Sequence, residues 1–370
     1  MSDSLHLVSF EVPYPANYGG AIDVFYKIKA LKELGLKIYL HAFESRNKKS
    51  EELKAYCEKI YYYQRKRSSL QTFSYLPYIV STRSSRALLK NLKSIKAPIL
   101  FEGLHSTFPL FKHKFDDRII LVRTHNIEHA YYKGLAGSET NFINRLFFYA
   151  EAFKLKLYEK VLKRADYILP ISLSDHAYFQ ERYKVPSILI PPFHANKSVR
   201  KPSKKGYFAL YHGDLKVPDN QKAVEYLYKV FKSVDYPLVI AGNLDYSPID
   251  AKTCRNKKIS FIQLENDEQL LELFKRAHVN VLPTFQNTGI KLKLINSLFN
   301  SRFCLCHPNM VNGTGLENLC VEAKSKSEFI KQMYRLMEQE YTEEDIAIRE
   351  VALEGFKTEA NARIIKDLII

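Results

Sequence analysis

Two doubly wound α/β domains in series are the fold class this sequence predicts, on three observations. Short apolar runs alternate with helix-length amphipathic stretches from the first residues onward. One lysine-rich, apolar-poor stretch with proline interrupts the alternation, which then starts again. The length of 370 residues fits two domains at roughly 150 residues each, both large enough to bury a core.

His6 to Phe10 reads as a buried strand, Ala21 to Leu34 as a helix with Ile22, Phe25, Ile28, Leu31 and Leu34 on one face, and Lys37 to Phe43 as the next strand. Further strands at Pro98 to Glu102, Arg118 to Arg123 and Tyr167 to Ile171 extend this β-α-β unit to a parallel sheet with helices on both faces. A long helix is expected from Asn141 to Ala165, where Lys154, Lys156, Lys160, Lys163 and Arg164 stand beside Phe147, Phe148, Phe153 and Tyr158. These elements place a first domain at residues 1–192. Residues 193–206 read as a linker, because Pro191 and Pro192 precede it and Asn196 to Gly206 is polar. A second domain at 207–345 has strands at Tyr207 to His212, Pro237 to Ala241, Ile259 to Gln263, Val279 to Pro283 and Arg302 to Cys306. Its helices are expected at Asn220 to Phe231, Asp267 to Ala277, Ile290 to Phe299 and Ser325 to Met337, and residues 346–370 form a final helix. A central cleft between such domains is the natural ligand site.

Composition excludes several classes. With 46% hydrophobic and 26% charged residues the chain is globular rather than disordered. Its five cysteines are scattered without C-x-x-C pairing, which argues against a zinc or redox centre. The N-terminus lacks a basic start followed by an apolar run, and no stretch reaches the roughly 18 apolar residues of a membrane span, so the expected location is cytoplasmic. A net charge of +16, with 25 Tyr, 23 Phe and no Trp, suits an anionic partner such as phosphorylated substrates or acidic lipid headgroups. No nucleic-acid reader motif is present, so nucleic acid is not an expected partner.

Four polar segments lie at strand ends. Pro13 to Gly20 joins the first strand to the first helix, and Gly19 and Gly20 let backbone approach a ligand at a helix N-terminus; an ordinary turn explains them equally. Arg123 to His129 closes another strand with a cluster in which His125 can orient or handle a proton and Arg123 or Asn126 can donate hydrogen bonds. His125 and His129 lack a third partner for a metal, and none is expected. In the second domain Gly213 permits a tight turn, with Asp219 or Asn220 capping the next helix. Gly289 stands at the mouth of a later helix, with Lys291 and Lys293 in its first turns. Cations there add to the positive end of the helix dipole unless an anion such as a diphosphate is bound.

The order of these segments, and GIKLKLINSLFNSRFCLC in particular, resembles the GT-B glycosyltransferases, specifically their large retaining family that uses nucleotide-diphosphate sugars. The resemblance covers nearly the whole chain in element order and rests on two short motifs. It implies two Rossmann-like domains facing a central cleft, a final helix that crosses back to the first domain, and transfer of a sugar from a UDP- or GDP-type donor to a saccharide or lipid-linked acceptor, without cofactor or metal. It implies donor binding by Gly19, Gly20, Gly213, Thr288, Gly289, Lys291, Lys293 and Asn296, with His125 and Arg123 facing the sugar or acceptor. The chain departs from the family at three positions: Thr288 and Asn296 stand in place of glutamates, and Asp214 replaces its usual arginine. A degenerate member that binds nucleotide sugar without turnover is the alternative. The basic, aromatic stretch of Asn141 to Ala165 could meet an anionic membrane, placing the protein peripherally on its inner face; a helix packed on its own sheet explains the stretch as well.

Overall fold

The computed structural model describes residues 3–44, 49–68, 71–201, 205–250, 254–286 and 291–370. In chain order these form β1 (Ser4–Ser9), α1 (Gly19–Glu33), β2 (Lys37–Glu44), β3 (Lys59–Gln64), α2 (Tyr78–Ser81), α3 (Arg86–Ser94), β4 (Ile99–Glu102), α4 (Phe108–Lys112), β5 (Ile120–Thr124), α5 (Glu128–Ser138), α6 (Phe142–Tyr158), β6 (Tyr167–Pro170) and α7 (Leu173–Arg182). There follow β7 (Ala209–Gly213), α8 (Pro218–Val230), β8 (Leu238–Gly242), β9 (Ile259–Gln263), α9 (Asp267–Arg276), β10 (Val279–Leu282), α10 (Leu292–Asn300), β11 (Phe303–Cys306), α11 (Pro308–Val311), β12 (Val321–Glu322), α12 (Lys326–Glu338), α13 (Glu343–Ala352) and α14 (Thr358–Ile369). Two compact units result, one of residues up to Ala195 plus Thr358–Ile370 and the other of Asn196–Lys357.

Each unit holds a parallel sheet of the same topology. The first runs β3-β2-β1-β4-β5-β6 and the second β9-β8-β7-β10-β11-β12, so strand order reverses between β1 and β4 and between β7 and β10. Ligands of doubly wound sheets bind beyond the carboxyl ends of the strands at that reversal. The segments after β1, β4, β7 and β10 are therefore the first places to look.

Apolar residues fill both faces of the first sheet. Leu5 and Leu7 of β1 meet Val24 and Ile28 of α1 and Ala362 and Ile365 of α14 on one side; Val8, Phe101 and Val122 meet Leu155 and Leu162 on the other. Because side chains alternate along a strand, Glu102 and Arg123 fall on the same side as Leu100 and Leu121, towards α1. In the second unit Gly242 pairs with Gly213, and a Cβ on Gly242 would run into the Gly213 carbonyl. Only glycine allows these two strand ends to approach so closely.

Several elements differ from the sequence expectations. β3 was not anticipated; its alternating KIYYYQ pairs with β2 at the sheet edge. The helix expected from Asn141 to Ala165 ends at Tyr158 and continues as a 3-10 turn, Glu159–Arg164. Residues after Thr342 form two helices. A turn at Glu354–Phe356 separates them, so α13 packs Ile346 into the second unit and α14 packs Ala362, Ile365 and Ile369 into the first. Within residues 193–206, Phe193 is buried in the first core and Val199 in the second.

Candidate functional site

Helix capping separates two groups of helices. α3, α6, α7, α9, α12 and α13 begin with a Ser, Asn or Thr side chain that accepts from a first-turn backbone N–H. α1, α8 and α10, which leave the reversal strands β1, β7 and β10, have no such side-chain bond, and neither do α2, α4, α5 and α11. Their first-turn N–H groups are left to other acceptors, and the helix dipole favours an anion there.

At the second-unit reversal, α10 opens with Lys291 at the N-cap position and Lys293 one residue inside the helix. Lys293 donates to the Asn220 amide oxygen at 2.7 Å, and its ammonium lies 5.2 Å from the centre of the Tyr211 ring. Asp219, one residue before Asn220, accepts from the Thr284 hydroxyl at 2.7 Å and the Phe285 N–H at 3.0 Å, which ties the α8 entrance to the segment after β10. Burial lowers the Lys293 ammonium to about 8, against the opposing pull of Asp219. Lys291 is also lowered by burial. Two half-buried cations at the positive end of a helix form an arrangement that an anion stabilises.

Gly213 ends β7 beside the Asn220 side chain. Thr288 and Gly289 lie outside the described residues. Asn296, expected to reach a ribose, is half-buried and its amide oxygen accepts from Asn196 at 2.8 Å. Asn300, one turn along α10, donates to the Asn196 oxygen. The spacing of four puts both asparagines on one helix face, where they grip the incoming chain.

In the first unit, Gly19 and Gly20 open α1, and a Cβ on Gly20 would meet the Phe10 ring at 2.9 Å. That ring touches His125 edge-on, with centroids 5.6 Å apart, and lies 5.2 Å from His105. His125 Nε2 lies 3.1 Å from Glu102 Oε2. Burial opposes ionisation of Glu102, but Lys27 and His125 outweigh it and hold the carboxyl below its usual range. An ionised Glu102 accepts from the proton that His125 carries on Nε2.

Arg123 was expected to face substrate; it does not. It is fully buried, donates to both oxygens of Asp23 at 3.1 and 2.8 Å, and also donates to the Ile190 and Pro191 carbonyls. Lys27 bridges Asp23 at 2.9 Å and Glu102 at 2.6 Å. A buried chain of charge thus runs from Arg123 through Asp23, Lys27 and Glu102 to His125, and it fixes the imidazole rather than presenting the guanidinium. Asp23 and Lys27 escape a sequence reading because helix periodicity marks their face as core. A charged pair four apart on that apolar face was the available signal. Asp23, Glu102 and His125 offer atoms within 4.8 Å of one another, close enough for a metal ion, but the Lys27 ammonium already occupies the position between the two carboxylates.

Glu128, at the start of α5, lies 3.8 Å from His105 Nδ1. Burial, reinforced by Asp175, pushes its carboxyl up to about 8 despite Arg83, so it is protonated at neutral pH. A native pKa above the unfolded value of about 4.3 contributes stability that is complete below that value and is lost as pH rises through 8. Glu128→Gln, which mimics the protonated acid, should reduce the fall in melting temperature between pH 5 and pH 8. Melts across that range check this, and a slope equal to wild type would contradict it.

No family model matches the chain. A Klebsiella pneumoniae protein described as an uncharacterized 44.6 kDa protein in the cps region is 27% identical over 333 residues, 84% of each chain. Among solved structures, the apo lipopolysaccharide outer core galactosyltransferase WaaB matches with a TM-score of 0.63 at 15% identity over 99% of both chains. LpCGTa, solved in complex with UDP, matches with a TM-score of 0.62 at 12% identity over 100% of this chain and 99% of that one. Against a Thermobaculum terrenum O-GlcNAc transferase the TM-score is 0.56 at 10% identity, covering 98% of this chain and 66% of the longer protein. The chain has the GT-B fold of glycosyltransferases, built from two Rossmann-like domains.

Proposed function

We propose that the protein is a hexosyltransferase-like glycosyltransferase that moves a sugar from a UDP- or GDP-sugar to a saccharide or lipid-linked acceptor. The observation that carries this reading is the pair of half-buried lysines at the uncapped start of α10, with Lys293 held by Asn220 beside Asp219. A nucleotide diphosphate is an anion suited to this arrangement, and as leaving group it gains the charge that Lys291 and Lys293 stabilise. That the similar LpCGTa structure holds UDP supports the assignment. Gly213 and Gly289 belong to this donor site on the strength of the motif they share with the family, and Thr288 stands there in the position of the family's glutamate. Retention of configuration follows from the same resemblance. The proposed chemistry is metal-independent, since lysines and helix dipole meet the diphosphate's charge. The protein is proposed to work at the inner face of a membrane as a peripheral protein; among the described residues no helix is long and apolar enough to cross one.

A panel of UDP- and GDP-sugars tests the reading, with release of free nucleotide as the readout. At least one donor should turn over, and Lys293→Ala should weaken nucleotide binding by about 1.5–3 kcal/mol, the range for hydrogen bonds to charged groups. Binding without turnover for every donor would make the chain a non-catalytic nucleotide-sugar binder, and unchanged affinity in the variant would remove the diphosphate from this site.

A further inference from the structure

α6 is apolar on two sides. Its inner side packs Leu155 and Tyr158 into the core, and Phe147 and Phe148 meet Tyr78 and Tyr132. Its outer side carries Phe142, Leu146, Tyr149, Phe153 and Leu157, spaced four, three, four and four residues apart. All five are exposed, Phe142, Leu146 and Phe153 each by more than 60%. The segment bound alongside adds Phe73, 87% exposed, and Tyr75, 72% exposed. It is held there by Lys154 donating to the Thr72 carbonyl and by the Tyr78 N–H donating to Glu151. Scattered single apolar residues are ordinary on a surface, but a continuous stripe along a helix is not.

From Phe142 onward the exposed charge along this stripe is of one sign, with Glu139 the partly exposed acid just ahead of the helix. The acids between Phe142 and Ala165 are Glu151 and Glu159, and both are buried. Lys154 is paired with Glu151, whereas Arg145, Lys156, Lys160, Lys163 and Arg164 stand at the surface. Arg145 lies over the Phe142 ring, its guanidinium carbon 5.6 Å from the centroid. Apolar side chains with lysine and arginine along their margin match the boundary between acyl chains and acidic headgroups.

We infer that the outer face of α6, together with Phe73 and Tyr75, is the surface by which this protein lies on an anionic bilayer. The helix has 17 residues and so spans about 25 Å in the plane of the surface. Phe142, Leu146, Phe153 and Leu157 enter the acyl boundary while the cations stay at headgroup level. A neutral partner protein would gain nothing from the one-signed margin. The inference rests on the peripheral placement proposed above but needs no sugar transfer, so this face and the transferase reading can fail separately.

Co-sedimentation of the full chain with vesicles tests it. The protein should pellet with vesicles containing phosphatidylglycerol at low salt and at least tenfold less with pure phosphatidylcholine. Leu146→Ser/Phe153→Ser should weaken pelleting by about tenfold or more, the scale of losing two inserted apolar side chains. Lys156→Glu/Lys160→Glu should weaken it at low salt and converge on wild type at high salt. Unchanged circular dichroism and melting temperature establish that the serine variant is folded; if it is not, the glutamate variant carries the test. Equal pelleting of wild type with both vesicles, or wild-type pelleting by the folded variants, would overturn the inference. So would self-association in sedimentation velocity that Leu146→Ser/Phe153→Ser abolishes, since a second copy would then cover the face.

Discussion

Lys27→Met should destabilise the first unit by about 3–5 kcal/mol, the cost of removing one partner from a buried ion pair and leaving the other charge uncompensated. The Lys27 ammonium is inaccessible to solvent and bridges two carboxylates that are themselves buried. Asp23 keeps Arg123 after the substitution; Glu102 keeps only His125. Glu102 therefore bears most of the loss, and it regains part by taking up a proton. Because Lys27 helps hold the native Glu102 carboxyl below its unfolded value, the wild-type pair contributes stability above that value and loses it as pH falls. The gap between wild type and variant should thus narrow in acid. Adding Glu102→Gln to Lys27→Met should recover much of the stability, since a neutral amide needs no cation. Urea unfolding at neutral and acidic pH measures all three, and a Lys27→Met cost below about 1 kcal/mol would show that the ammonium is dispensable.

His125→Ala should lower kcat by roughly 10²-fold or more, the scale of a positioned acid–base or electrostatic group. The imidazole is held by Glu102 and by the Phe10 ring at the end of β5. An interaction made mainly in the transition state lowers kcat and kcat/KM together. Nucleotide affinity should stay near wild type, because the groups proposed to hold the diphosphate are on α10 and α8. Steady-state kinetics with calorimetry on the same variant separate the two effects. Normal turnover would leave His125 as a structural end to the charge chain.

The doubly wound architecture was legible because apolar runs mark buried parallel strands and helical periodicity falls between them. The Gly-x-Lys-x-Lys segment was legible for a chemical reason: two lysines at a helix start conflict with the dipole, and the structure keeps that conflict. Arg123 was misjudged because β5 is buried on both faces, so no alternation tells which way the residue after IILV points. Asp23 and Lys27 were hidden by the same periodicity that correctly made their helix face core. The Asn196–Asn296 hydrogen bond was not legible because the two residues lie one hundred positions apart. The outer face of α6 could not be told from its inner face by pattern, since both are apolar. The inward turn of Glu151 and Glu159 also reverses the usual placement of acids.

Diffraction from crystals soaked separately with UDP and GDP tests the central claim most directly. One of them should bind with its diphosphate at the N-terminus of α10, within hydrogen-bond reach of the Lys293 ammonium and of first-turn N–H groups. A nucleotide bound elsewhere on the chain, or neither nucleotide bound at saturating concentration with α10 accessible to solvent channels, would contradict it.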